Sequence, residues 1–182
     1  MTAKMMNGIL FIIAGLGSIA VYMVLGETGL LGTAHTEKIA AYALVTIPLA
    51  FMMTRNVARN PFIDTGLLII VVGLTMGLVG DAINSTEISA ESDLIAEAVG
   101  MTAWSIMYLG YFITGIGYLQ TNLFPKWLSG LLSVVSLVTF ASIAISSPEF
   151  LSNNGESIVI PLWMLNSLVL VILGIFTMRR AE

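Results

Sequence analysis

The chain contains no cysteine. That one absence removes disulfides, thiolate metal sites, iron–sulfur clusters and thiol nucleophiles, and it leaves the redox compartment open. There is a single histidine, His35, so a bis-histidine haem within one chain is excluded. Charge is scarce: 10% of the 182 residues are charged, against about 25% in soluble domains. A surface so poor in charge cannot face water on all sides. The seven Lys and Arg residues form no basic patch, so nucleic acid is not an expected partner. The sequence also lacks a Walker A lysine, an H-E-x-x-H pair and a G-x-S-x-G elbow. Two short matches read as chance. Asp64-Thr65-Gly66 has no second copy to complete an aspartic protease pair. Gly77-Leu78-Val79-Gly80-Asp81 has the wrong glycine spacing for an intramembrane aspartyl protease and no Tyr-Asp partner.

What the chain does have is long apolar runs. It is 57% hydrophobic, with a mean hydropathy of +0.96. A bilayer core of about 30 Å needs roughly 20 apolar residues in a helix. Six stretches qualify: 6–25, 36–54, 61–83, 93–119, 127–146 and 158–178. The first follows Lys4 in the manner of a signal peptide. It runs too long for an h-region and no A-x-A-like site follows, so it reads as a retained helix. Asn60-Pro61 and Ser147-Pro148 are N-cap-plus-proline starts, and Pro125 closes the turn before the fifth helix. Ser92 is expected to cap the fourth helix, with Asp93 on the positive end of its dipole. "SSPEFLSNNGES" predicts a short interfacial helix ended by Gly155. The expected fold is therefore all-α: a polytopic integral membrane protein, one six-transmembrane-helix bundle spanning residues 1–182.

Charge placement orients it. Lys4, Arg55, Arg59, Lys126, Arg179 and Arg180 fall on one side of this topology, and only Lys38 on the other. The positive-inside rule then places both termini in the cytoplasm of a plasma (inner) membrane, with the acidic loops outside, and requires an even number of crossings. The stretch "GDAINSTEISAESDLIAEAVG" (80–100) holds Asp81, Glu87, Glu91, Asp93 and Glu97, five of eleven acids. It falls on the outer side and reads first as a solvated loop with two helix ends. A three-plus-three inverted repeat finds no support, because the halves do not match and only the second helix has a mid-helix proline, Pro48.

Several constellations remain as candidates. Gly66, Gly73, Gly77 and Gly80 form a small-residue stripe on the third helix. Gly8, Gly15, Ser18 and Gly26 do so on the first, and Ser129, Ser133 and Ser136 on the fifth. Such stripes let helices approach closely, within the bundle or with a partner. The fourth helix carries Glu97, Met101, Trp104, Tyr108, Tyr111, Gly115 and Tyr118 at three- and four-residue steps, a carboxylate continuing into an aromatic face. That face is either core and interface, or the wall of a ligand cavity with Glu97 at its mouth. Asp81 and Glu97 sit on adjacent antiparallel helices at similar depth, where two carboxylates can share a proton or bind a cation. Adding His35 and Glu37 would give a divalent metal site; hydration of all four is the plainer reading. Asn84 and Asn166 are polar residues in or near apolar helices, suited to interhelical hydrogen bonds or to substrate contact.

"GYFITGIGYLQTNLFPKWLSGLLSVVS" and "IPLWMLNSLVLVILGIFTMRR" together carry a resemblance. A glycine-rich helix, the turn Phe124-Pro125-Lys126-Trp127-Leu128 and a closing helix with Leu162-Trp163 resemble the uncharacterised six-helix bacterial membrane families labelled domain of unknown function. It covers roughly residues 110–180. It implies a six-helix integral membrane protein and carries over no catalytic or binding residue. Three function classes follow. The first is a non-enzymatic binding or accessory protein that packs against a membrane complex or holds a lipid or hydrophobic small molecule. The second is a small ion- or proton-coupled transporter or channel-like protein using Asp81 and Glu97, with Asn84 and Asn166 along its path. The third is a metal-dependent intramembrane enzyme at His35, Glu37, Asp81 and Glu97. Membrane lipids are expected partners, with other membrane subunits or self-association as further options. No cofactor is indicated.

Overall fold

A computed structural model of the chain describes residues 1–26, 28–86 and 89–180. Seven α-helices follow one another: α1 (Ala3–Ile19), α2 (Thr33–Leu44), α3 (Thr46–Val57), α4 (Pro61–Asn84), α5 (Ala90–Leu119), α6 (Lys126–Ala144) and α7 (Pro148–Arg179). A π-helical segment, Ala20–Gly26, continues α1. No strand occurs among the described residues. Among the described residues six helical stretches are long and apolar enough to cross a membrane, with α1 plus the π segment as one and α2 plus α3 as another.

The helix starts have local causes. The Asn60 side chain accepts from the Phe62 amide at 2.8 Å, and Pro61 sits where no amide partner is needed. Ser147 does the same for α7, accepting from the Phe150 amide. α5 starts a turn before the expected Ser92 cap. Ser89 is the N-cap and Ser92 closes a reciprocal capping box with it, which leaves Glu91 and Asp93 in the first turn. Lys126 donates to the carbonyls of Leu119 and Thr121, capping the C-terminus of α5 across the Pro125 turn.

The backbone departs from expectation in three places. α1 widens into the π segment. The second crossing is interrupted at Val45, because Pro48 has no amide for the Leu44 carbonyl and its ring crowds the preceding turn. Thr46 supports the break by donating to the Ala43 carbonyl at 2.6 Å. The predicted interfacial helix is not separate: α7 runs without interruption from Pro148 through Gly155, so Pro161 lies inside it.

The six long helical stretches pack in sequence order around a ring, and α7 closes it against α1. Glycines set the closest approaches. A Cβ on Gly66 would strike Thr114 and the Gly110 carbonyl of α5, and one on Gly73 would lie 2.5 Å from the Met107 amide. Gly8 and Gly15 face Gly174 and Ser167 of α7 in the same way, and Gly115 faces Ser129 and Ser133 of α6. The small-residue stripes are thus used inside the bundle. Lys4 donates to the Arg180 carbonyl at 3.2 Å, so both ends of the chain meet at one end of the ring. Arg55 pairs there with Asp64 at 2.5 Å. This is the basic end; the opposite, acidic end carries the C-terminus of α4 and the N-terminus of α5.

The basic half of the interior is filled. Phe51 packs edge-on to Phe11 at 5.1 Å and against Tyr111 at 5.3 Å, and Tyr118 packs on Phe124 at 4.9 Å. The Tyr118 hydroxyl donates to Thr54 at 2.9 Å. Towards the acidic end the facing residues become small (Ala14, Ser18, Gly80, Ala96, Gly100), and the helices do not fill the space between them.

Candidate functional site

That unfilled space is a cavity of about 660 Å³ lined from all seven α-helices and the π segment. Its volume falls within the roughly 300–1,000 Å³ of small-molecule sites. Asp93 and Glu97 stand at its mouth and are exposed. α5 has 30 residues and α7 has 32, roughly 45 and 48 Å at 1.5 Å per residue. Both exceed a bilayer core of about 30 Å; the first turns of α5 reach the mouth through Asp93, whereas α7 lines the cavity only from Val159 onward. Trp104, Trp163, Tyr22 and Met101 line the sides, and Tyr108 and Tyr111 the deeper part.

Glu37 organises one wall. It accepts from the Tyr22 hydroxyl at 2.6 Å and from the Asn84 amide at 2.9 Å, so one carboxylate ties the π segment, α2 and α4 together. Tyr22 also meets Trp163 edge-on at 6.3 Å, joining the π segment to α7. Trp104 lies over Gly77, where a Cβ would come 3.1 Å from its ring. Asp81 is one helical turn further along that face of α4. Three of the lining residues each keep one polar atom that is closed off from solvent and has no hydrogen-bond partner: Asp81 Oδ2, Ser18 Oγ and the Tyr111 hydroxyl. Ser18 is 3% exposed and Tyr111 1%. Buried polar atoms are rarely left unpaired, and each such case asks for a water, an ion or a ligand.

The sequence candidates distribute unevenly. Asp81, Asn84, Glu97, Trp104, Tyr108, Tyr111 and Asn166 all line this one cavity. Asn166 has little capacity left for a ligand: it accepts from Ser136 and donates to Thr139 and to the Leu162 carbonyl, pinning α7 to α6. His35 is exposed and outside the lining, while Glu37 is inside it. Among the described residues no three His, Asp or Glu side chains gather as metal ligands. Glu87 lies outside the described residues.

Sequence reasoning did not single out Tyr22 or Trp163, and it placed Ser18 with the packing glycines. A signal existed. Ser18 and Tyr22 are four residues apart, and Ile160, Trp163 and Ser167 follow helical steps, so each set shares a face. Two lining groups also coincide with the irregular backbone: Tyr22 and Met23 in the π segment, and Leu44 and Ile47 around the Val45 break. π segments concentrate at functional sites, and irregular backbone at membrane depth is tolerated where it lines a cavity. Compared with protein-family profiles, with curated proteins and with solved structures, this chain matches none.

Proposed function

We propose that this protein is a non-enzymatic membrane protein that binds a hydrophobic small molecule in the cavity at its acidic end. In this reading six helices span the plasma (inner) membrane, both termini are cytoplasmic and the cavity opens on the outer side. Lipids surround the exposed Leu, Val, Ile and Phe side chains. The observation that carries the reading is the coincidence of a cavity of about 660 Å³ with three lining residues, Ser18, Asp81 and Tyr111, that each keep a buried polar atom unpartnered. The aromatic walls supply apolar contact and those atoms supply orientation. The burial of the glycine and serine stripes inside the bundle favours the small-molecule reading over docking to a partner subunit.

The test is native mass spectrometry of the chain extracted gently from its own membranes. The expected spectrum shows the 19.5 kDa chain with a reproducible small-molecule mass, depleted in Trp104→Ala. The irregular backbone around the cavity supports a second reading, transport. A chain that carries nothing, together with liposome flux abolished by Asp81→Asn, would replace binding with that reading. The packed aromatic layer of Phe11, Phe51, Tyr111 and Tyr118 below the cavity argues against a standing pore.

A further inference from the structure

We infer that the cavity selects a hydrophobic molecule carrying an ammonium group, held beside the Asp81 carboxylate. This rests on the reading of the cavity as a ligand site and adds the charge class of what it takes.

The lining contains four carboxylates, Glu37, Asp81, Asp93 and Glu97, and among the described residues no Lys, Arg or His. An anionic ligand, such as a fatty acid or a phospholipid headgroup, would meet like charge from the mouth to the depth of Asp81, and like-charge juxtaposition excludes partners effectively. The two carboxylates inside the mouth differ in how they are used. Both oxygens of Glu37 are occupied, by Tyr22 and Asn84. Asp81 keeps Oδ2 shielded from solvent with no donor near it. A carboxylate oxygen shielded from solvent and left unpaired is destabilised, and a charged N–H donor is the group that relieves it best.

The surroundings fit an organic cation better than a metal ion. Metal-ligating groups do not gather here among the described residues. Aromatic rings do: Trp104 sits over Gly77, one turn from Asp81, and Trp163 and Tyr22 line the same cavity. A cation close to such faces gains from the ring quadrupole, most strongly at tryptophan. Met101, Met107 and Leu170 offer apolar contact to the rest of the molecule. Ser18 and Tyr111, which border the same space, each keep a buried hydroxyl without a partner. A molecule with its ammonium at Asp81 and an apolar body along the tryptophans fits this lining.

The test uses three probes of one shape: phenylbutylammonium, phenylbutanol and phenylbutyrate. The full chain is placed in zwitterionic nanodiscs and partitioning into empty nanodiscs is subtracted. Binding is read from tryptophan fluorescence in a Trp127→Phe background. Trp127 packs on Phe176 outside the cavity, so the remaining signal comes from Trp104 and Trp163. The ammonium is expected to bind roughly tenfold more tightly than the alcohol, with the carboxylate weakest. Asp81→Asn is expected to bring the ammonium down to the alcohol's affinity and to leave the alcohol unchanged. That unchanged affinity also certifies the variant's fold, and the order of the three probes on the unaltered cavity carries the test if the variant does not fold. Equal binding of all three overturns the cation preference and leaves the cavity a binding site. Binding of none overturns both. Loss of ammonium binding when sodium replaces potassium at equal ionic strength assigns Asp81 to an inorganic cation and overturns the organic class.

Discussion

Glu37 is where the polar chemistry of the cavity wall converges. Its two oxygens hold Tyr22 and Asn84 across three elements. The two sides of that tie are unequal in what they strand. Tyr22→Phe removes one donor, and Glu37 keeps Asn84, so the expected loss is about 1 kcal/mol, in line with hydrogen bonds inside membrane bundles. Glu37→Leu strands the Tyr22 hydroxyl and the Asn84 amide together, so it should cost about 2 kcal/mol or more. Thermal unfolding in one detergent should rank wild type above Tyr22→Phe above Glu37→Leu. Equal midpoints for all three would show that the tie does not hold the wall. Asn84 and Glu37 were legible in the sequence only as separate candidates, one as a polar helix residue and the other as a metal ligand. Their pairing spans 47 positions, and no local pattern encodes a contact of that range. Asp81, Glu97, Trp104, Tyr108 and Tyr111 were more legible, because a helical step of three or four already puts residues on one face. Whether that face meets a void or a neighbour depends on side chains from other helices. Here it faces Ser18, which read in the sequence as a packing residue, and Ala14, which the sequence did not single out.

Backbone elements show the same division between local and non-local causes. Pro61 and Pro148 sit at helix starts as expected, because a cap and a proline act within one turn. The run of α7 through Gly155 was not legible; Gly155 is followed by one more apolar helix face that keeps the segment helical. The break at Val45 has a local cause in Pro48, yet sequence placed the crossing as one helix because its apolar character is continuous. Glycine positions give the clearest element-scale test, since neighbours alone distinguish them. Gly73→Ala puts a methyl 2.5 Å from the Met107 amide and 2.8 Å from the Ala103 carbonyl. Both are backbone, so α4 and α5 must separate, and overpacking of this kind costs about 1–3 kcal/mol. Gly130 lies within α6, and a methyl there meets nothing within 4 Å. Gly130→Ala should instead stabilise, by up to about 1 kcal/mol of helix propensity. Opposite shifts of the thermal midpoint are expected, and a neutral Gly73→Ala would mean that the α4–α5 contact is looser than its geometry.

At the scale of the whole molecule, the separation of charge explains why one end of the ring is packed and the other is hollow. The basic end holds Arg55–Asp64, the Lys4–Arg180 contact and the Lys126 cap, each closing a helix terminus or joining two of them. Above it the aromatic layer fills the interior. At the acidic end begin α5 and α7, the two longest helices, and four carboxylates line a space that no basic side chain among the described lining residues enters. Under the proposed orientation, with the basic end cytoplasmic, a bundle that is sealed at its basic end and open at its acidic end presents the cavity outside. The absence of cysteine makes this directly measurable, because a single introduced thiol is the only reactive one in the chain. Thr86 lies in the turn after α4 at the acidic end, and Asn122 in the turn between α5 and α6 at the basic end; both are exposed. Thr86→Cys should react with a membrane-impermeant maleimide on intact cells, and Asn122→Cys only after permeabilisation. The reverse pattern would turn the cavity to the cytoplasm and restrict its ligands to molecules made or held inside the cell. Equal labelling of both before permeabilisation would remove the membrane-spanning reading itself, because a sealed bilayer must protect one end of every crossing.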